Sequence, residues 1–142
     1  VPYLTRHYPQ GELFAHVIGY VGRIDREDLE TLDAERYAGT SHLGKTGIER
    51  QYEDQLHGEV GYERVEINAE GRVLRVLDRE PALAGQNLFL SIDAGLQRAA
   101  VAAFGQESGA AVALDPRNGE VLAFVSVPSY DANLFVNGIS RR

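Results

Sequence analysis

The sequence predicts an α+β fold, and three observations carry that expectation. Two pairs of β-rich runs, 62–68 with 72–77 and 111–114 with 121–125, each flank a turn signal. Several segments open on a helix-capping residue and continue at helical spacing. No internal repeat or low-complexity tract is present, and no apolar run approaches the roughly 20 residues that a bilayer span requires.

His16-Val17-Ile18-Gly19-Tyr20-Val21 is a nearly continuous, β-branched apolar run and reads as a buried strand. Asp25 is an N-cap candidate with acids behind it, and Leu29, Leu32 and Arg36 continue at helical spacing, so a helix is expected from about Arg26 to Arg36. Ala38 to Gly44, rich in Gly, Ser and Thr, reads as a loop. Thr46-Gly47-Ile48-Glu49 matches the capping box T-x-x-E, in which Thr46 caps the N3 amide and Glu49 reaches back to the N-cap amide. Ile48, Tyr52 and Leu56 then share one helical face, and Gly58 is expected as the C-cap glycine.

Tyr62 to Asn68 and Arg72 to Leu77, joined by Ala69-Glu70-Gly71, predict a hairpin with one wet, charged face and one packed face. Pro81 and Gly85 interrupt the chain after this hairpin and place the main boundary between residues 85 and 86. Beyond it, Leu88 to Ile92 reads as a strand, and Asp93 caps a helix that ends at Gly105. Two further strands flank Asp115-Pro116-Arg117-Asn118-Gly119, where Asn118-Gly119 favours a tight hairpin turn.

Composition removes several function classes. With 21 acidic against 14 basic residues the net charge is -7, and no Lys/Arg cluster could follow a phosphate track, so nucleic acid is not an expected partner. The absence of cysteine excludes disulfides, thiolate zinc sites and cysteine nucleophiles. His7, His16, His42 and His57 show no metal-ligand spacing, and Asp115 to Glu120 lacks the alternating acids of a calcium loop, so no metal and no cofactor is expected. A chain that opens on Val1 and closes on Arg141-Arg142 is expected to be a piece of a longer protein.

One triplet carries possible chemistry. Lys45-Thr46-Gly47 spells K-T-G, a motif of penicillin-binding proteins and class A β-lactamases, where it lines a site whose nucleophile is the Ser of S-x-x-K. Lys45 is the single lysine and His42 stands three residues before it, so S-x-x-K is absent, and S-x-N is absent as well. The capping box supplies a structural reason for the same letters, and no catalytic residue is assigned.

Two stretches nevertheless carry a family resemblance. His16 to Gly22 fits H-[VI]-[IL]-G-Y, and Gly44 to Gly58 fits G-x-x-G-[IL]-E-x-x-Y-[ED]-x-x-L-x-G; together they resemble the non-catalytic pedestal, or dimerisation, region of class B penicillin-binding proteins. Gly109 to Ser126 and Pro128 to Phe135 resemble the opening of that family's transpeptidase domain. Arg6-His7-Tyr8-Pro9, Tyr62-Glu63 and Asn133 to Ser140 look closest to its elongation-specific members.

The resemblance implies a pedestal over residues 1–85 and the incomplete start of a transpeptidase domain over 86–142. It implies a parent, held at the periplasmic face of a bacterial inner membrane by an N-terminal helix, that cross-links peptidoglycan peptide stems during rod-shaped growth and is acylated by β-lactams. Implied partners are the remainder of its own transpeptidase domain, a glycosyltransferase and scaffold proteins. The family's catalytic motifs are expected C-terminal to Arg142, which leaves these residues inactive alone. The hairpin from Ala111 to Val127 is then expected to show an open edge and an uncovered apolar face. The competing reading is a self-sufficient periplasmic interaction module with no enzymatic parent.

Overall fold

A computed structural model describes residues 5–138. In chain order the elements are α1 (Ala15–Ile18), β1 (Val21–Arg23), α2 (Arg26–Leu29), β2 (His42–Gly44), α3 (Gly47–Gln51) and α4 (Glu53–Leu56). Next come β3 (Tyr62–Ile67), β4 (Val73–Glu80), α5 (Ala94–Phe104), β5 (Gly109–Leu114), β6 (Val121–Val127) and α6 (Asn133–Val136). Among the described residues the strands form three two-stranded antiparallel sheets, β1 with β2, β3 with β4, and β5 with β6. Short helices and small open sheets are the α+β architecture expected.

The chain forms two compact units. One comprises the described residues within Val1–Arg23, His42–Glu53 and Leu88–Arg142; the other comprises Ile24–Ser41 and Asp54–Asn87. Compactness therefore divides the chain differently from a single boundary at 85/86. Tyr8, Ala15 and Val21 share one buried cluster with Ala132 and Val136, so the first residues and the last described ones have a common core.

In the first unit, Tyr20 stacks on Phe135 at a ring separation of 4.1 Å, with Tyr130 edge-on to both. Helix α5 packs on β6, and Ala123, Val125 and Gln97 are buried there. Asp93 caps α5 as predicted, accepting from the Leu96 amide at 2.7 Å, and Gly105 ends it at φ +57°. The strand expected at Leu88 to Ile92 is instead irregular chain without a ladder. Its ties to β6 are the Ser91 hydroxyl on the Val121 carbonyl and the Asp93 amide on the Leu122 carbonyl.

The run at 16–21 is also corrected. Residues 15–18 form a helical turn, with the Val17 and Ile18 amides both donating to the Phe14 carbonyl, and only Val21 enters a strand. Tertiary burial of Ala15 overrides the β preference of Val17 and Ile18. The expected loop at 38–44 ends in β2, because Val21 to Arg23 needs a partner for its ladder.

The β5–β6 turn lies where Asn118-Gly119 predicts but is wider than a two-residue turn. Among the described residues no non-glycine has positive φ, so Asn118 cannot take the type I′ position; Gly119 alone does, at φ +79°. Asp115 organises the loop instead. Its carboxylate accepts from the Arg117 guanidinium and, to a lesser degree, the Arg117 amide, which hold it below the usual carboxylate range, and its carbonyl accepts from the Gly119 amide.

In the second unit, α2 has the capping box at Asp25 and Asp28 but ends at Leu29 rather than Arg36. Asp33 halts it, because its side chain accepts from the Glu35 and Arg36 amides and starts a separate turn. Gly58 serves as the helix-terminating glycine, at φ +75° two residues beyond Leu56. A Cβ there would meet the Leu83 carbonyl at 2.3 Å, beside the bridge between Glu59 and Leu83. The β3–β4 hairpin forms as expected, with β4 reaching Glu80. No packed face develops: every residue of β4 is exposed, including Val73, Leu74, Val76 and Leu77.

Candidate functional site

The K-T-G triplet lies at a backbone crossing. Gly19 follows α1 at φ +75°, and a Cβ on it would sit 2.0 Å from the Thr46 carbonyl oxygen. Gly47 opens α3 at φ +60°, and a Cβ on it would meet the Val17 carbonyl at 2.6 Å. Two glycines facing each other let the end of α1 and the start of α3 touch through main chain alone. The Lys45 amide completes the crossing by donating to the Tyr20 carbonyl at 2.9 Å. The triplet thus opens a helix and is not an extended strand along a cleft.

Thr46 occupies the N-cap position with extended backbone, but the predicted capping box does not form. Its hydroxyl donates to the Tyr130 phenol, and that phenol donates onward to the Ala15 carbonyl at 3.1 Å. Glu49 is likewise drawn away from the N-cap amide. It is 4% exposed and receives the fork of Arg6, with Nε 2.9 Å from Oε1 and Nη2 3.0 Å from Oε2. The Tyr8 phenol donates to Glu49 Oε1 at 3.1 Å and accepts from the Val21 amide at 2.8 Å. A buried carboxylate given a guanidinium and a phenol forms stronger bonds there than one solvated amide offers, which explains the lost box. The helix predicted to run through Leu56 also breaks at Tyr52, where φ is -114° and ψ 22°.

Asn133 clamps the same segment. Its Oδ1 accepts from the Tyr8 amide and its Nδ2 donates to the Tyr8 carbonyl, each at 2.9 Å. Burial first, and the Glu49 carboxylate second, push the Tyr8 phenol well above its ordinary range. With the folded value above the unfolded one near 10, this contribution to stability is complete below about pH 10 and is lost as pH rises beyond it. In an alkaline titration followed by tyrosinate absorbance, Tyr8 is expected to ionise only with unfolding, as a late cooperative rise that Tyr8→Phe removes. Ionisation of Tyr8 together with the exposed tyrosines would contradict the network.

Arg6, Tyr8, Phe14, Ala15, Ile18 and Glu49 border a mainly apolar cleft of about 380 Å³. The other reactive groups have structural parts. His42 Nε2 donates to the Val136 carbonyl, His57 bonds to the Thr40 hydroxyl and the Gly58 carbonyl, and His16 lies edge-on to Tyr130. The Ser91 and Ser129 hydroxyls donate to main-chain carbonyls. Among the described residues no group of three or more His, Asp or Glu side chains gathers as a metal site would.

The parts played by Arg6, Tyr8, Asn133 and Gln97 leave no signal in the sequence. Their partners named above lie 13 to 125 residues away, so local spacing carries no trace of them. The uncovered apolar surface is the other feature. Ile67, Val73, Leu74, Val76 and Leu77 are exposed on the β3–β4 hairpin, and Val112, Leu114 and Phe124 on β5–β6. No described helix is long and apolar enough to cross a membrane.

Comparison with known proteins accords with these features. Residues 2–90 match the family described as Penicillin-binding Protein dimerisation domain. The chain is similar to the peptidoglycan D,D-transpeptidase MrdA of Acinetobacter baumannii, at 52% identity over 139 residues that cover 98% of this chain and 21% of that protein. Its structure resembles Pseudomonas aeruginosa PBP2, solved in complex with WCK 5153, with a TM-score of 0.80 and 50% identity over 96% of this chain and 26% of that one. It also resembles PBP2 of Helicobacter pylori in a complex with MreC, with a TM-score of 0.82 and 39% identity over 99% of this chain and 26% of that one. The chain spans about a fifth to a quarter of the length of these relatives.

Proposed function

The chain belongs to the penicillin-binding protein dimerisation-domain family, and from that premise we propose that it is the non-catalytic periplasmic part of a peptidoglycan D,D-transpeptidase. The parent cross-links peptide stems during rod-shape elongation, at the periplasmic face of a bacterial inner membrane. Residues 1–85 are its pedestal and residues 86–142 open its transpeptidase domain. The supporting observation is the similarity to MrdA, which runs through 98% of the chain yet reaches only 21% of that protein. S-x-x-K is absent from the chain, and its K-T-G is taken up by a backbone crossing.

Inside the parent, these residues present surfaces. The sheet β5–β6 has two strands, and its exposed Val112, Leu114 and Phe124 are read as the seat of the remaining transpeptidase strands. Fluorescent penicillin is expected to leave residues 1–142 unlabelled and to label the full natural chain at the Ser of an S-x-x-K. A labelled 1–142, or an unlabelled full chain, would overturn the assignment.

A second reading concerns partners. The relative from Helicobacter pylori is solved with MreC, and the exposed Val73, Leu74, Val76 and Leu77 of β4 suit an apolar contact with a scaffold protein of that kind. The glycosyltransferase of the elongation machinery is proposed on the resemblance alone. Leu74→Asp should weaken scaffold binding while leaving penicillin labelling of the full chain intact; unchanged binding would exclude this face.

A further inference from the structure

Gln97 is the one buried residue of α5, at 1% exposure, although its side chain is a polar amide. That amide makes three hydrogen bonds, all to main chain. Oε1 accepts from the Phe124 amide at 2.8 Å, and Nε2 donates to the Phe124 carbonyl at 2.7 Å and to the Leu13 carbonyl at 3.0 Å. The first two bonds reproduce the reciprocal pair that an opposing strand residue would make in an antiparallel ladder.

The position on the sheet gives this its meaning. Phe124 pairs with Val112 in the β5–β6 register, and its N–H and C=O both face away from β5, toward the second edge of β6. That edge is served two residues earlier by main chain, where the Asp93 amide donates to the Leu122 carbonyl. The chain then turns into α5, capped by Asp93 itself, and cannot continue as a strand. Gln97 stands one helical turn farther on and supplies the next rung from its side chain.

We infer that Gln97 is a positioning residue that closes the second edge of β6 and locks the segment around Leu13 to it. Its side-chain amide replaces the missing strand residue and passes its remaining donor to Leu13. Two consequences arise. Strand addition to this sheet is confined to the β5 edge, because the β6 edge is already occupied at Phe124. A displacement of the segment 11–17 is transmitted to Phe124 and α5 through this amide, beside the packing of α1 on β6, because its bonds on both sides are to main chain. The inference does not rest on the proposed function.

The test is residue-resolved hydrogen exchange on the full natural chain with Gln97→Met, which keeps side-chain length and apolar fit but removes all three bonds. Exchange at the Phe124 amide should rise at least tenfold, exchange in the segment 11–17 should rise with it, and the Ala123 and Val125 amides, which face β5, should keep their protection. Unchanged protection at Phe124, or a rise there with none at 11–17, would overturn the link.

Gln97→Glu keeps the inference testable if the Met variant does not fold. An ionised carboxylate can accept from Phe124 but faces the carbonyls of Phe124 and Leu13 without a proton, whereas the neutral acid can donate to one of them. Its folded pKa is therefore raised, and its stability relative to wild type should improve as pH falls below about 6 toward the unfolded Glu value near 4.3. Glu12 and His16 border the same hollow, so wild type titrated in parallel is the baseline. A deficit in Gln97→Glu that does not change with pH would mean that Gln97 only fills space.

Discussion

Gly19→Ala is expected to destabilise the chain by about 2–5 kcal/mol, combining ~1–2 kcal/mol for a side chain at positive φ with ~1–3 kcal/mol for a steric clash. The clash is with main chain: the new Cβ would lie 2.0 Å from the Thr46 carbonyl oxygen and 2.4 Å from its carbon. Neither atom can rotate away as a side chain would. Relief requires α1 and α3 to separate, which would pull the Lys45 amide from the Tyr20 carbonyl and disturb the Thr46 to Tyr130 contact. Gly71→Ala provides the control, since Gly71 has φ +77° and nothing within 4 Å of where its Cβ would stand. That change should cost only the backbone part, about 1–2 kcal/mol. Urea unfolding of both variants separates strain from crossing, and equal costs would show that the crossing contributes nothing.

Glu49→Ala is expected to cost about 2–4 kcal/mol, because it leaves the Arg6 guanidinium without its counter-ion and the Tyr8 phenol without its acceptor. Arg6 is 39% exposed, so water recovers part of its loss and the value stays below that of a fully buried pair. Tyr8 has no such recourse, being 7% exposed. The contrast with a capping box is direct. A box would make Glu49→Ala and Thr46→Ala comparable, at about 1 kcal/mol each; the network around Glu49 makes Glu49→Ala the larger. Glu49→Gln should fall between, keeping an acceptor for Tyr8 while losing the charge. Chemical denaturation of the three variants gives the order, and a Glu49→Ala cost no greater than that of Thr46→Ala would reject the network.

The two changes probe the same few residues that first suggest an active-site wall. Lys45-Thr46-Gly47 lies within the Gly44 to Gly58 stretch that carries the resemblance, and each letter takes a structural part: an amide for Tyr20, a hydroxyl for Tyr130, a glycine against the Val17 carbonyl. The uncovered apolar residues of β4 and β5–β6 are a separate feature, distant from this triplet in sequence.

Legible in the sequence was whatever is decided within a few residues. Asp93 starts α5 and Gly105 ends it because a cap and a positive-φ stop act locally. The β3–β4 and β5–β6 hairpins arise from β-rich runs around turn residues, and the α+β class comes from these elements together. Local signals failed where a distant partner outweighed a near one. Val17 and Ile18 coil against their β-branched preference, because the helical turn lets Ala15 enter the core that it shares with Val136. Glu49 leaves its cap for Arg6 and Tyr8, 43 and 41 residues away. Gln97 looks like one more polar helix residue until Phe124 and Leu13 surround it. A cap or a turn lowers the free energy of its own few residues, and so leaves a pattern in the sequence. A buried carboxylate or amide is set by which groups the whole fold brings within about 3 Å, and only the tertiary structure decides that.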